Sequence, residues 1–123
     1  MKPLSSPHRV LIVEDELLIA IMLEEIVAEA GFQVVGPVAT LPEALAIAES
    51  ERLDAALLDI FLDEKTKVFA AADVLAERQI PFAFVTAFRD SEIELVHRDR
   101  PVWFKPLIPN QIVHGLTQLV AGG

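Results

Sequence analysis

Short apolar runs alternate with longer amphipathic stretches from Val10 to Val120. Val10–Val13 is continuous, apolar and rich in β-branched residues, which predicts a strand buried on both faces. Glu16–Ala30 follows, with Ile19, Met22, Leu23, Ile26, Val27 and Ala30 at spacings of three and four. Those spacings make one helical stripe. Gly31 stands where a helix C-terminal cap is expected. Phe32–Ala39 predicts a second strand, and its Gly36-Pro37 pair assigns it to a sheet edge. Thr40-Leu41-Pro42-Glu43 has the form of a capping box and opens a helix running to Glu51.

The alternation continues through strand Ala55–Ile60, helix Val68–Arg78 and strand Phe82–Val85. A short helix over Asp90–His97, strand Val102–Phe104 and helix Pro109–Val120 complete it, the last with proline near its first turn. Five β-α units imply a parallel sheet with helices on both faces and right-handed crossovers. The pattern does not by itself fix the strand order. Residues 1–8, rich in proline and serine, read as a flexible tail before one domain over 9–123.

Composition narrows the chemistry. The chain has no cysteine, which excludes disulfides and thiolate metal sites and suits a reducing cytoplasm. Its formal charge of −9 comes from 10 basic and 19 acidic residues. Such a surface repels nucleic-acid phosphates and tolerates metal cations. No run approaches the ~20 apolar residues of a membrane helix, so no membrane partner is expected. Met1–Arg9 has no apolar stretch of the secretory kind.

Ligands of open α/β sheets bind beyond the carboxyl ends of the strands. There the sequence puts Glu14-Asp15 after the first strand and Asp59 at the end of the third. Thr86 follows the fourth and Lys105 the fifth. Clustered carboxylates repel one another unless a cation joins them, and an all-oxygen set favours Mg²⁺. Asp59 beside such an ion can act as a nucleophile toward phosphorus, with Thr86 and Lys105 neutralising the phosphoryl oxygens. The bland alternatives are helix capping by Glu14-Asp15 and solvated charge at Lys105. Each is plausible singly, but all of them landing on one sheet edge is not.

The set Glu14-Asp15, Asp59, Thr86 and Lys105-Pro106 resembles the signature of response-regulator receiver domains, over nearly the whole chain from Arg9 to Val120. The resemblance implies a flavodoxin-like, three-layer, doubly wound (βα)5 sheet in the order 2-1-3-4-5. It implies Mg²⁺ held by Asp15 and Asp59, by Glu14 through water, and by the backbone carbonyl of Phe61. Asp59 is then the phospho-acceptor, Thr86 and Lys105 its partners, and the Lys105–Pro106 bond cis. The implied donor is a histidine kinase or histidine phosphotransfer protein, and the implied setting a cytoplasmic, bacterial two-component phosphorelay. With no effector segment after Val120, the domain is expected to act by changing its protein-binding surface.

The sequence also departs from the family pattern. Val102 stands where many receivers carry a switching aromatic. Phe84-Val85-Thr86-Ala87-Phe88 is similar to a mostly single-domain subgroup that reads Phe-Ala-Thr-Gly, a hydrophobic residue, then Tyr. Arg89 replaces that tyrosine, and Phe88 is a candidate substitute for the missing switch. Phe61 and Phe88 flank the expected water path and orient no water, which predicts a long-lived acyl phosphate.

A Mg²⁺-dependent phosphohydrolase with an aspartyl-phosphate intermediate is the competing function. Such enzymes place an acid/base aspartate two residues after the nucleophile, where this chain has Phe61. Among the remaining residues, Leu17, Leu18 and Ile21 leave the first helix's core stripe and predict a docking face for the kinase. Trp103 and Phe104 are expected in the core, Asp63 and Glu64 in a solvated loop, and His8, His97 and His114 on the surface.

Overall fold

The structure is a computed structural model and describes residues 7–63, 65–87 and 97–122. Five strands form one sheet: β1 (Arg9–Val13), β2 (Gln33–Val38), β3 (Ala55–Asp59), β4 (Phe82–Thr86) and β5 (Val102–Phe104). The order is β2-β1-β3-β4-β5, and every neighbouring pair is parallel. Four helices are described: α1 (Leu17–Glu29), α2 (Leu41–Ser50), α3 (Phe69–Glu77) and α4 (Pro109–Gly122). This is the doubly wound, flavodoxin-like α/β architecture. The helix expected over Asp90–His97 lies outside the described residues except for His97.

The sheet divides its side chains by the period of two. Leu11 and Val13 of β1, Ala56 and Leu58 of β3, and Phe82 and Phe84 of β4 pack toward Ala44, Ala48, Ala71, Ala72 and Leu75 of α2 and α3. Val10, Ile12, Ala55, Leu57, Ala83 and Val85 face the other way, onto Leu23, Ile26, Val27, Ile112 and Leu116 of α1 and α4. Burial on both faces explains why the three central strands read as unbroken apolar runs. The edge strands are only partly covered.

β2 is an edge, as its Gly36-Pro37 pair predicts, and its pairing with β1 shifts register between Leu11 and Val13. Gly36 has φ +95°, and a Cβ there would meet Val38 N at 2.9 Å and Ile12 O at 3.1 Å. A side chain at this position is therefore excluded twice over. Gly31 ends α1 at φ +93°, as expected. The Thr40 hydroxyl accepts from the Glu43 N–H at 3.4 Å and donates to Glu43 Oε1 at 2.9 Å, capping α2. The His8 carbonyl accepts the Gln33 N–H at 2.8 Å, just before β1.

Two sequence expectations need correction. Met22 is 41% exposed and Ala30 is exposed, whereas Ala20 is buried, so the core stripe of α1 is rotated from the expected one. His97 is not a surface residue but 1% exposed. Its ring lies among Phe69, Phe82 and Phe84, and its Nε2 is 2.7 Å from Asp73 Oδ1 on α3. Trp103 packs against the α1/α4 core, and its ring occupies the space that a side chain at position 115 would need.

Candidate functional site

The parallel register brings the chemistry-bearing residues to one edge. Val13 aligns with Leu58, Asp59 with Val85, and Thr86 with Phe104. Glu14 therefore emerges beside Asp59, and Lys105 emerges beyond Thr86. The Lys105 N–H donates to the Thr86 carbonyl at 2.8 Å, which anchors the start of the lysine stem. The Lys105–Pro106 bond is cis. The Glu14 N–H donates to the Val38 carbonyl at 2.9 Å, fixing the other side of the site.

Glu14 is 2% exposed and Asp59 5%, whereas Asp15 is open to solvent. One carboxylate oxygen from each lies within 4.8 Å of the others. Lys105 Nζ sits 2.9 Å from Glu14 Oε1, 3.1 Å from Glu16 Oε1 and 3.6 Å from Asp59 Oδ2. Burial, followed by contact with Glu14, pushes the Asp59 carboxyl up to about 9 despite the opposing charge of Lys105. Lys105 is itself raised: burial lowers it, but Glu14, Asp59 and Glu16 together outweigh that. One ammonium thus fails to neutralise the cluster, and an added divalent cation would reverse the shift at Asp59. The oxygen-only donor set and its shortage of positive charge fit Mg²⁺.

The cleft above these groups encloses about 680 Å³ and is lined by Asp15, Glu16, Asp59, Phe61, Asp63, Ala87 and Lys105. Thr86 is fully buried at the end of β4, next to Ala87 in the wall. Phe61 is half-buried, and Lys67 Nζ lies 5.6 Å from the centre of its ring. Asp63 shapes the loop below: its Oδ1 accepts the N–H groups of Lys65 and Thr66, each at 2.7 Å. The Lys65 N–H, together with the side chain and N–H of Thr66, holds the Asp63 carboxyl below its ordinary range. Glu64 and Phe88 lie outside the described residues.

The response regulator receiver domain family matches residues 10–98. The chain belongs to that family. Its fold matches the solution structure of SdrG from Sphingomonas melonis Fr1 with a TM-score of 0.81 and 40% identity, over 93% of this chain and 97% of that one. It is also similar to the transcriptional regulatory protein PdtaR of Mycobacterium tuberculosis, at 36% identity over 94 residues, 76% of this chain. A third likeness is the phyllosphere-induced regulator PhyR of Methylorubrum extorquens, 42% identical over 81 residues, 64% of this chain. The matches span 45% of PdtaR and 30% of PhyR, so this receiver domain corresponds to less than half of either regulator.

Residue spacing missed one site residue. Glu16 reads as the start of a helix, yet it lines the cleft and pairs with Lys105. The signal was three consecutive acids, Glu14-Asp15-Glu16, at a strand end where two suffice to bind a cation.

Proposed function

We propose that this receiver domain accepts a phosphoryl group on Asp59 from the phosphohistidine of a kinase or phosphotransfer protein. The observation that carries this reading is the cluster of Glu14, Asp15 and Asp59, with Glu14 and Asp59 buried and Asp15 exposed, facing the ammonium of Lys105. An Asp59 oxygen forms the new bond to phosphorus while the phosphorus–nitrogen bond breaks, and the donor imidazole keeps the electron pair and takes up a proton. Asp15 and Asp59 would hold Mg²⁺ directly through their carboxylates, with help from Glu14 and from the carbonyl of Phe61. Bound there, the ion supplies charge neutralisation on the phosphoryl oxygens. Lys105 and the Thr86 hydroxyl take the remaining oxygens. Phe61 offers no group to orient an attacking water, which favours a long-lived acyl phosphate.

The proposed donor docks on α1. Leu17 is 73% exposed, Leu18 79% and Ile21 42%, an apolar set unusual for one helix face. Leu17 and Ile21 border a groove of about 220 Å³ shared with Pro37 and Val38, directly beside Glu14 and Asp15. The receiver unit is proposed to span 9–123 and to work in the cytoplasm by altering its surface for a protein partner. Among the described residues no helix is long and apolar enough to cross a membrane.

Incubation with Mg²⁺ and acetyl phosphate, followed by intact-protein mass, tests the reading. One stable phosphoryl adduct is expected. Rapid turnover without an adduct would favour the phosphohydrolase alternative, and no reaction would reduce the domain to a structural module. Ile21→Glu should slow transfer from the cognate kinase but leave labelling by acetyl phosphate intact.

A further inference from the structure

Lys105 is held by more carboxylate than the acid cluster alone provides. Two of its contacts, Glu14 and Asp59, belong to buried strand-end residues. The third, Glu16 Oε1 at 3.1 Å, comes from a side chain that is 59% exposed. Glu16 is the N-cap residue of α1, yet its side chain makes no capping hydrogen bond. The helix does not use this carboxylate; it is turned to the cleft instead. The Glu16 N–H donates to Glu14 Oε2 at 3.1 Å, and that bond closes the turn with both carboxylates on the same ammonium.

We propose that Glu16 is a positioning residue that acts through Lys105, holding its ammonium on the acid-pair side of the cleft until a phosphoryl group displaces it. This rests on the reading of Asp59 as phospho-acceptor. An ammonium has three N–H donors, and in the resting protein three carboxylates surround this one. The contact to Glu16 is a hydrogen bond, whereas Asp59 Oδ2 at 3.6 Å is an ion-pair contact only, so a phosphoryl oxygen that takes the bonded N–H displaces Glu16. Glu14 and Asp59 are buried and fixed to strand ends, so leaving either unpaired is costly. Glu16 is exposed, and water takes over its carboxylate at little cost. Its charge at the mouth of the cleft also opposes an incoming phosphoryl anion. Glu16 therefore sets how readily the switch turns on, while the chemistry stays with Asp59.

The test is beryllofluoride, a phosphoryl mimic, titrated into the full chain at saturating Mg²⁺. Binding is read by NMR and by the fluorescence of Trp103, the sole tryptophan, two positions before Lys105. Glu16→Gln should tighten binding by about two- to fivefold, the range an exposed ion pair spans. Asp63→Asn removes the same charge from the same cleft wall without touching Lys105 and controls for general electrostatics. In the metal-free protein, Glu16→Gln should also raise the acylation rate of Lys105, read by peptide mass. An unchanged or weakened beryllofluoride affinity in Glu16→Gln, or an equal gain in Asp63→Asn, overturns the proposal alone. No beryllofluoride response in the wild type overturns the phospho-acceptor reading and this proposal with it.

Discussion

The two ends of the sheet treat charge in opposite ways. Where the strands begin, charges are matched. Arg9 Nη2 meets Glu51 Oε1 at 3.0 Å, Arg52 Nη1 meets Asp54 Oδ2 at 3.2 Å, and the Arg9 N–H donates to Asp54 Oδ2 at 2.7 Å. Arg78 donates to the carbonyls of Ala48 and Glu51 at the end of α2. Where the strands finish, Glu14, Glu16 and Asp59 gather around the ammonium of Lys105, with Asp15 beside Glu14 and Asp59. The first end ties elements together at little electrostatic cost. The second stores repulsion that a cation and a phosphoryl group can relieve, and this separates a site from a staple.

Removing a proposed metal ligand breaks the comparison most severely. Asp15→Ala should abolish the response to Mg²⁺ seen by NMR or calorimetry, against a wild-type affinity on the order of millimolar for a few carboxylates and waters. An unchanged titration would move the metal elsewhere.

Next in size is the stored repulsion itself. The folded Asp59 carboxyl titrates at about 9 against an ordinary 3.8, so between those values the folded state holds a proton that the unfolded state has lost. The contribution of Asp59 to the stability of the metal-free protein is then fullest below 3.8 and is lost as pH rises through that window. Asp59→Asn removes the penalty. It should stabilise the metal-free protein at pH 8 by on the order of 1–3 kcal/mol and flatten this pH dependence, as read by urea unfolding. A destabilised variant with unaltered pH dependence would count against a charge-starved site.

The opposite end should respond without regard to metal. Arg9→Ala loses the bond to Glu51 and the donation from Nε to the Arg52 carbonyl at 2.7 Å. A loss of about 1–2 kcal/mol is expected, equal with and without Mg²⁺. A loss that Mg²⁺ repairs would mean that the two ends are coupled.

The smallest effect belongs to Asp63→Asn. The depressed carboxyl contributes stability that is present above 3.8 and lost as pH falls through its folded value. The variant should differ slightly from wild type at neutral pH, and thermal unfolding should show the two converging in acid. A gap that widens in acid would contradict the loop geometry.

What the sequence made legible follows the physics of each region. The central strands are buried on both faces, so Val10–Val13 and Ala55–Asp59 leave an unambiguous apolar run. Gly36-Pro37 marks the edge because only an edge tolerates it. The stripe of α1 was blurred because Leu17, Leu18, Ile21 and Met22 are apolar yet exposed, leaving little contrast between its faces. His97 was misread because its partner Asp73 lies on another helix and its aromatic cage on α3 and β4, contacts that no local spacing reveals. The acid cluster and Lys105 were legible because three of the five strand ends carry a charge, at Glu14-Asp15, Asp59 and Lys105. Glu16's role was not, since it depends on where a side chain turns.

The direct test is the titration of the Asp59 carboxyl carbon by NMR, without and with saturating Mg²⁺. In the metal-free protein its midpoint should lie far above the ordinary carboxylate range, near the value of about 9 that burial and Glu14 impose. With Mg²⁺ it should fall sharply, because the ion supplies the charge that Lys105 alone does not. A metal-free midpoint near the ordinary 3.8, unmoved by Mg²⁺, would contradict the claim that this end of the sheet is built to be completed by a cation.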